Sequence, residues 1–152
     1  MCSSDLPRPD RLVTPRFLLD TNALSEPMRP APNAGFLRMF ERHRMDLALA
    51  SPVWHEAMFG LHRMPLGEKR DRVDAYLYNV IRPSVDILPY DAEAARWHAI
   101  ERARLEKAGT PVPFADGMVA AVAVRFGLTV VTHNIRDFER LTGVLLVDWM
   151  SD

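Results

Sequence analysis

Short apolar runs alternating with longer amphipathic or apolar stretches predict an α/β fold, in which helices cover both faces of a central, mainly parallel sheet of about five strands. Three observations carry this prediction. Runs at 17–20, 47–51, 85–88, 128–132 and 144–147 have the length and composition of strands buried on both faces. Helical stretches with recognisable ends separate them, and strands joined by helices run parallel. The chain has 152 residues, 48% of them hydrophobic and 26% charged. That is long enough for one domain with a real core and too short to expect two.

In chain order, residues 1–14 contain Pro7 and Pro9 and show no periodicity. They read as a disordered leader or as an over-early start, and the domain is taken as 15–152. The first strand ends at Asp20. Asn33 can cap a helix carrying Phe36, Leu37 and Phe40. The second strand, Leu-Ala-Leu-Ala-Ser at 47–51, stops at Pro52, which suits the first position of the next helix. Asp91 can cap a helix running to Lys107, stopped by Gly109, and Pro113 opens another over 114–126, stopped by Gly127. That last helix is apolar on every side at 118–124 and should be buried. No internal repeat and no linker divides the domain.

Composition excludes several classes. No run approaches the roughly 20 apolar residues of a membrane span, and the N-terminus lacks a secretory signal, so a cytoplasmic location away from membranes is expected. The single cysteine, Cys2, leaves no internal disulfide or thiolate cluster. Any metal must be held by oxygen or imidazole. A net charge of −1 argues against a protein that coats nucleic acid, though not against a local phosphate-binding face. Seventeen of the 19 basic residues are Arg, which suits bidentate phosphate contacts but also follows from a biased genome composition.

Four acids stand where a carboxylate is costly unless something neutralises it. Asp20 ends the first strand, Glu56 lies a turn into the helix after the second, Asp116 opens the buried helix, and Asp137 follows the fourth strand by a short polar loop. In an open parallel sheet, ligands bind beyond the carboxyl ends of the strands, and all four acids belong on that edge. Clustered carboxylates suit Mg²⁺ or Mn²⁺, and two such ions about 4 Å apart can activate water and stabilise the leaving oxygen of a phosphodiester. Each acid has a plainer reading: Asp20 as the cap of a helix starting at Thr21, Asp116 and Asp137 as acids near helix N-termini, Glu56 as a solvated charge. Asn22 and Thr132 are candidates for an orienting shell, against plain roles as a turn Asn and a strand Thr.

Other motifs fail. His55-Glu56 lacks the second His of a zinc-protease helix, since Phe59 stands there. Asn22 replaces the second Asp that an aspartyl-phosphate phosphatase needs. No glycine-rich phosphate loop or nucleophile elbow is present, and His43, His62 and His98 read as surface or packing residues.

Taken together, LLDTN at 18–22, the SEP-RP-PN stretch at 25–33, Glu56 with Gly60, PFAD with MVAAVA at 113–123 and VTHNIRDF at 131–138 resemble a PIN-domain ribonuclease. The likeness is to the VapC-type toxins of bacterial toxin–antitoxin pairs, especially their FitB-like branch, and covers Arg16 to Trp149. The resemblance implies an α/β/α PIN domain, cleavage of an RNA substrate by a metal-dependent endoribonuclease, a cognate antitoxin as inhibitor and a homodimer. It places Asp20, Glu56 and Asp116 in the metal-binding set. The fourth position falls at Asn134 or Asp137, and Asp137 is preferred because an amide adds no charge to balance a divalent ion. Apolar residues Trp54, Met58, Phe59 and Leu61 with Tyr76, Leu77 and Tyr78 are the candidates for a dimer face, or else for core. The alternative reading is a non-catalytic module that acts with its antitoxin as a DNA-binding repressor complex.

Overall fold

Five short strands set the architecture: β1 (Phe17–Leu19), β2 (Leu47–Ala50), β3 (Asp86–Leu88), β4 (Thr129–Val131) and β5 (Leu145–Val147). They are seen in a computed structural model that describes residues 15–151, so the leader expected at 1–14 lies outside the described residues. The strands form one sheet in the order β3-β2-β1-β4-β5, every pair parallel. Leu47 to Ala50 are fully buried, as continuous apolar strands in a doubly covered sheet must be. Edge strand β5 is more open, with Leu145 exposed.

The connections are helices, as the alternating pattern predicts. Helix α1 (Thr21–Ser25) follows β1 directly and runs into a 3₁₀ turn, Glu26–Met28. Helix α2 (Ala34–Arg42) is capped by the Asn33 side chain, which accepts from the Phe36 N–H at 2.9 Å. Helix α3 (Ser51–His62) carries Pro52 in its first turn. Helix α4 (Glu68–Ala75) passes into a π-helical turn, Tyr76–Ile81, and then α5 (Arg82–Ser84). Helix α6 (Ala92–Lys107) is capped by Asp91, whose Oδ1 accepts from the Ala94 N–H at 2.9 Å.

Helix α7 (Phe114–Phe126) is the central buried helix, with Gly117 and Val119 to Ala123 out of solvent. It ends at Gly127 with φ of 72°, a left-handed cap that favours glycine. A one-turn helix, α8 (Ile135–Phe138), joins β4 to β5. Two packed helical layers and a sheet between them thus bury one continuous core, from Leu18 and Leu49 to Phe36, Val122 and Phe138.

This topology has a switch point. From β1 the chain winds outward to β2 and β3, then returns to β4 on the opposite side of β1. The loops after β1 and β4 therefore diverge and leave a crevice at the carboxyl edge. Asp20 and Thr132 are the first residues beyond those two strands.

Candidate active site

Asp20 is 5% exposed, and its backbone makes it the N-cap of α1. The carboxylate Oδ1 accepts from the Ala23 N–H at 2.8 Å, and the Asn22 N–H and the Thr132 hydroxyl donate to the same group. Burial pushes its pKa up, while these three donors and the charge of His133 pull against that shift. Thr132 is itself 1% exposed, and its oxygen accepts from the Asn134 N–H at 2.9 Å. The hydroxyl accepts that bond and donates its own proton to Asp20. The strand-four threonine therefore orients the strand-one carboxylate across the switch point.

Asp116 enters from the first turn of α7. This helix runs back antiparallel to β4, so its N-terminus lies at the same carboxyl edge. Its pKa is pushed up to about 6. Burial is the largest cause, followed by the charges of Asp137 and Asp20 and by a hydrogen bond shared with Asp137. Asp137 and Asp20 therefore both sit close enough to Asp116 to repel its charge. Asp137 comes from α8, where the Asn134 side-chain amide donates to its Oδ2. Asn134 thus presents its amide nitrogen to the cluster and orients Asp137.

Glu56 is placed differently. It is in the second turn of α3 with its side chain 57% exposed, 3.9 Å from His55 Nδ1, and it is not among the charges that move Asp20 or Asp116. It lines an open apolar groove of about 760 Å³ whose floor includes Leu24, Val53, Leu61 and Tyr76 and whose rim carries Arg29, Lys69 and Arg72. Among the described residues no three His, Cys, Asp or Glu side chains converge on one metal-sized centre. Asn22 also departs from expectation: its side chain is exposed, and its contribution to Asp20 is the main-chain N–H of the second helical residue. His133 turns away to Asp148, with Nδ1 2.9 Å from Oδ2.

Sequence reasoning missed the groove, because Leu24, Leu61 and Tyr76 have the spacing of ordinary core residues. It also passed over Glu26, whose carboxylate is buried and accepts from the Asn33 N–H at 2.8 Å, fixing the turn between α1 and α2. The signal was a lone acid in an otherwise Pro-rich turn.

The fold agrees with what the chain is similar to. Residues 17–144 match the PIN domain family model, and the chain belongs to that family. It is 31% identical over 134 residues to the tRNA(fMet)-specific endonuclease VapC of Shigella flexneri, covering 88% of this chain and 98% of the relative. Toxin FitB of Neisseria gonorrhoeae is 32% identical over 125 residues, 80% of this chain and 90% of the relative. The solved structure of FitAcB from the same species superposes with a TM-score of 0.80 at 30% identity, over 88% of this chain and 97% of that one.

Proposed function

We propose that the protein is a metal-dependent endoribonuclease, the toxin of a toxin–antitoxin pair. The observation that carries this reading is Asp116, held at the topological switch point with a pKa of about 6 by burial and by the neighbouring carboxylates Asp137 and Asp20. Crowded carboxylates at this edge, offset only in part by His133, and an all-oxygen donor set fit a hard divalent cation, Mg²⁺ or Mn²⁺. Asp116 and the two acids that crowd it, Asp20 and Asp137, do not converge on one centre in this structure but are the residues that would close on the ion, with Glu56 at the margin of the same edge. When bound, such an ion lowers the pKa of water and neutralises charge on a phosphodiester.

The chain's own groups have separable tasks. Thr132 and the start of α1 fix the Asp20 carboxylate, and Asn134 fixes Asp137. Asp116 carries a proton over part of the range below neutrality, so protons compete with cation for the site. The relatives named endonuclease VapC and Toxin FitB support an RNA substrate and a toxic role.

A toxin carried by its own cell needs a neutralising partner, and the groove beside Glu56 supplies a surface for one. Its apolar floor and its rim of Arg29, Lys69 and Arg72 fit an antitoxin segment with apolar and acidic side chains. An Arg on that segment would meet the acid edge. Homodimerisation through α3 and the π-helical turn belongs to the same reading. Phe59 and Tyr78 are exposed, and the Tyr78 hydroxyl reaches Met58 Sδ at 3.3 Å. Leu61, Tyr76 and Leu77 are buried within the subunit and so are core rather than dimer face. No helix among the described residues is long and apolar enough to cross a membrane, and a cytoplasmic site of action is part of the proposal.

The test is cleavage of structured RNA by antitoxin-free protein with Mn²⁺, with Mg²⁺ and with chelator. Cleavage that chelator stops and that Asp20→Asn abolishes is expected. Intact RNA under every metal condition, from folded protein, would overturn the reading and favour the non-catalytic repressor. Light scattering should give twice the chain mass of 17.3 kDa.

A further inference from the structure

His98 is 3% exposed, yet neither the fold nor the acid cluster accounts for an imidazole there. Its Nδ1 lies 2.8 Å from the Tyr90 hydroxyl. The other edge of the ring faces α7, where Nε2 sits so close to Gly117 that a Cβ built on that glycine would overlap it. The ring also packs against Phe114, with centroids 4.8 Å apart, and the Arg102 guanidinium lies over the Phe114 ring at 4.9 Å. Tyr90 reaches one element further. Its N–H donates to Ser51 Oγ at 3.3 Å, and Ser51 is the first residue of α3.

Tyr90 and His98 therefore stand between the first turns of α3 and α7, the helices that carry Glu56 and Asp116. Gly117 follows Asp116 directly, and its own N–H closes the first turn of α7 on Pro113 O at 3.1 Å. The hydrogen bond from Tyr90 fixes the plane of a rigid ring, and only glycine allows the helix backbone to come down onto that ring. An aliphatic side chain at 98 would fill the space without fixing an orientation. We infer that His98, held by Tyr90, is a positioning residue for Asp116: it sets where the first turn of α7 rests and so brings the Asp116 carboxylate up to Asp20 and Asp137. This inference rests on the nuclease reading for its consequence, though not for its geometry.

The experiment compares wild type with Tyr90→Phe, His98→Ala, Gly117→Ala and the double variant His98→Ala/Gly117→Ala. Mn²⁺ binding is read from the paramagnetic resonance of free ion, and Gly117 amide exchange is read by NMR in chelator. Loss of a group that orients a metal ligand typically weakens affinity by about tenfold or more. Gly117→Ala should therefore raise the Mn²⁺ needed for half-saturation by about tenfold, with cleavage at saturating Mn²⁺ close to wild type. His98→Ala/Gly117→Ala, which makes room for the new methyl but lacks the ring, should bind Mn²⁺ no better than His98→Ala alone, and recovery to wild-type affinity would overturn the inference. Tyr90→Phe removes one part-buried hydroxyl at nearly constant volume and should fold even if Gly117→Ala does not; it should show weaker Mn²⁺ binding and faster exchange at Gly117. Wild-type Mn²⁺ affinity and Gly117 exchange in both Tyr90→Phe and His98→Ala would overturn the inference. A wild-type protein that neither binds Mn²⁺ nor cleaves RNA would overturn the nuclease reading instead, and Gly117 exchange alone then decides whether His98 seats the helix.

Discussion

Replacing Asp116 by Asn should stabilise the metal-free protein, and the gain should depend on pH in one direction. In the folded chain the carboxyl is held up at about 6 against an ordinary value of 3.8. Between those values the folded state binds the proton and the unfolded state does not, so folding stability falls as pH rises through that window. The full span corresponds to about 3 kcal/mol, and partial solvent access at the crevice reduces it to about 1–3 kcal/mol. Asn keeps the volume and removes the charge, so it escapes the loss. For a domain of this size the difference amounts to about 3–10 °C in Tm. Thermal melts of wild type and Asp116→Asn in chelator, from pH 4 to pH 8, should nearly coincide at pH 4, separate between pH 4 and pH 6 and stay a constant distance apart above that, with the variant higher. Added Mn²⁺ should then raise the wild-type Tm at pH 8 more than at pH 5, and leave the variant nearly unmoved. A difference independent of pH, or a variant less stable at pH 8, would refute the claim that burial and the neighbouring Asp137 and Asp20 hold this carboxyl up.

Asp20 separates two roles by choice of substitution: Asp20→Asn keeps an acceptor for the Ala23 N–H and should abolish cleavage with little change in Tm, whereas Asp20→Ala also loses the helix cap and about 1 kcal/mol, both readable by paired melts and RNA assays. Glu101 shows the opposite pH sign. Hydrogen bonds from Arg104, at 2.9 Å and 3.1 Å, and from the Thr142 N–H hold its pKa down at about 2. It therefore adds about 3 kcal/mol above its ordinary pKa of 4.5, lost as pH falls toward 2, and Glu101→Gln should flatten the acid limb of a stability–pH curve. Gly127→Ala, at φ of 72°, should cost about 1 kcal/mol by chemical denaturation with RNA cleavage unaltered, because the cap lies at the far end of α7 from Asp116.

The contrast between what the sequence displays and what it hides follows from the range of the interactions involved. Strand and helix limits are legible because they are written locally. Asn33 and Asp91 cap their helices through side chains three residues from the N–H they accept. Gly127 stops α7 through its own backbone, and Leu-Ala-Leu-Ala needs two covered faces wherever it lies. The acids are legible in part for a related reason: a parallel strand followed by a helix always delivers its next residue to one edge, so Asp20 and Thr132 meet whatever the loops do. What fails to carry over is anything decided by which way a side chain leaves its helix. Glu56 and Asp116 look equivalent in the sequence, each early in a helix rich in apolar residues. Asp116 is turned inward on a helix buried on nearly all sides, whereas Glu56 lies on the face of α3 that borders the groove and keeps 57% of its side chain in solvent. The hydrophobic residues around it do not distinguish groove from core, because Leu24 and Tyr76 are buried by the subunit and also line the groove. The coupling among Asp20, Asp116 and Asp137 is the property that points to a cation. It depends on three elements spread over residues 20–137 of the sequence, and no local pattern can encode it.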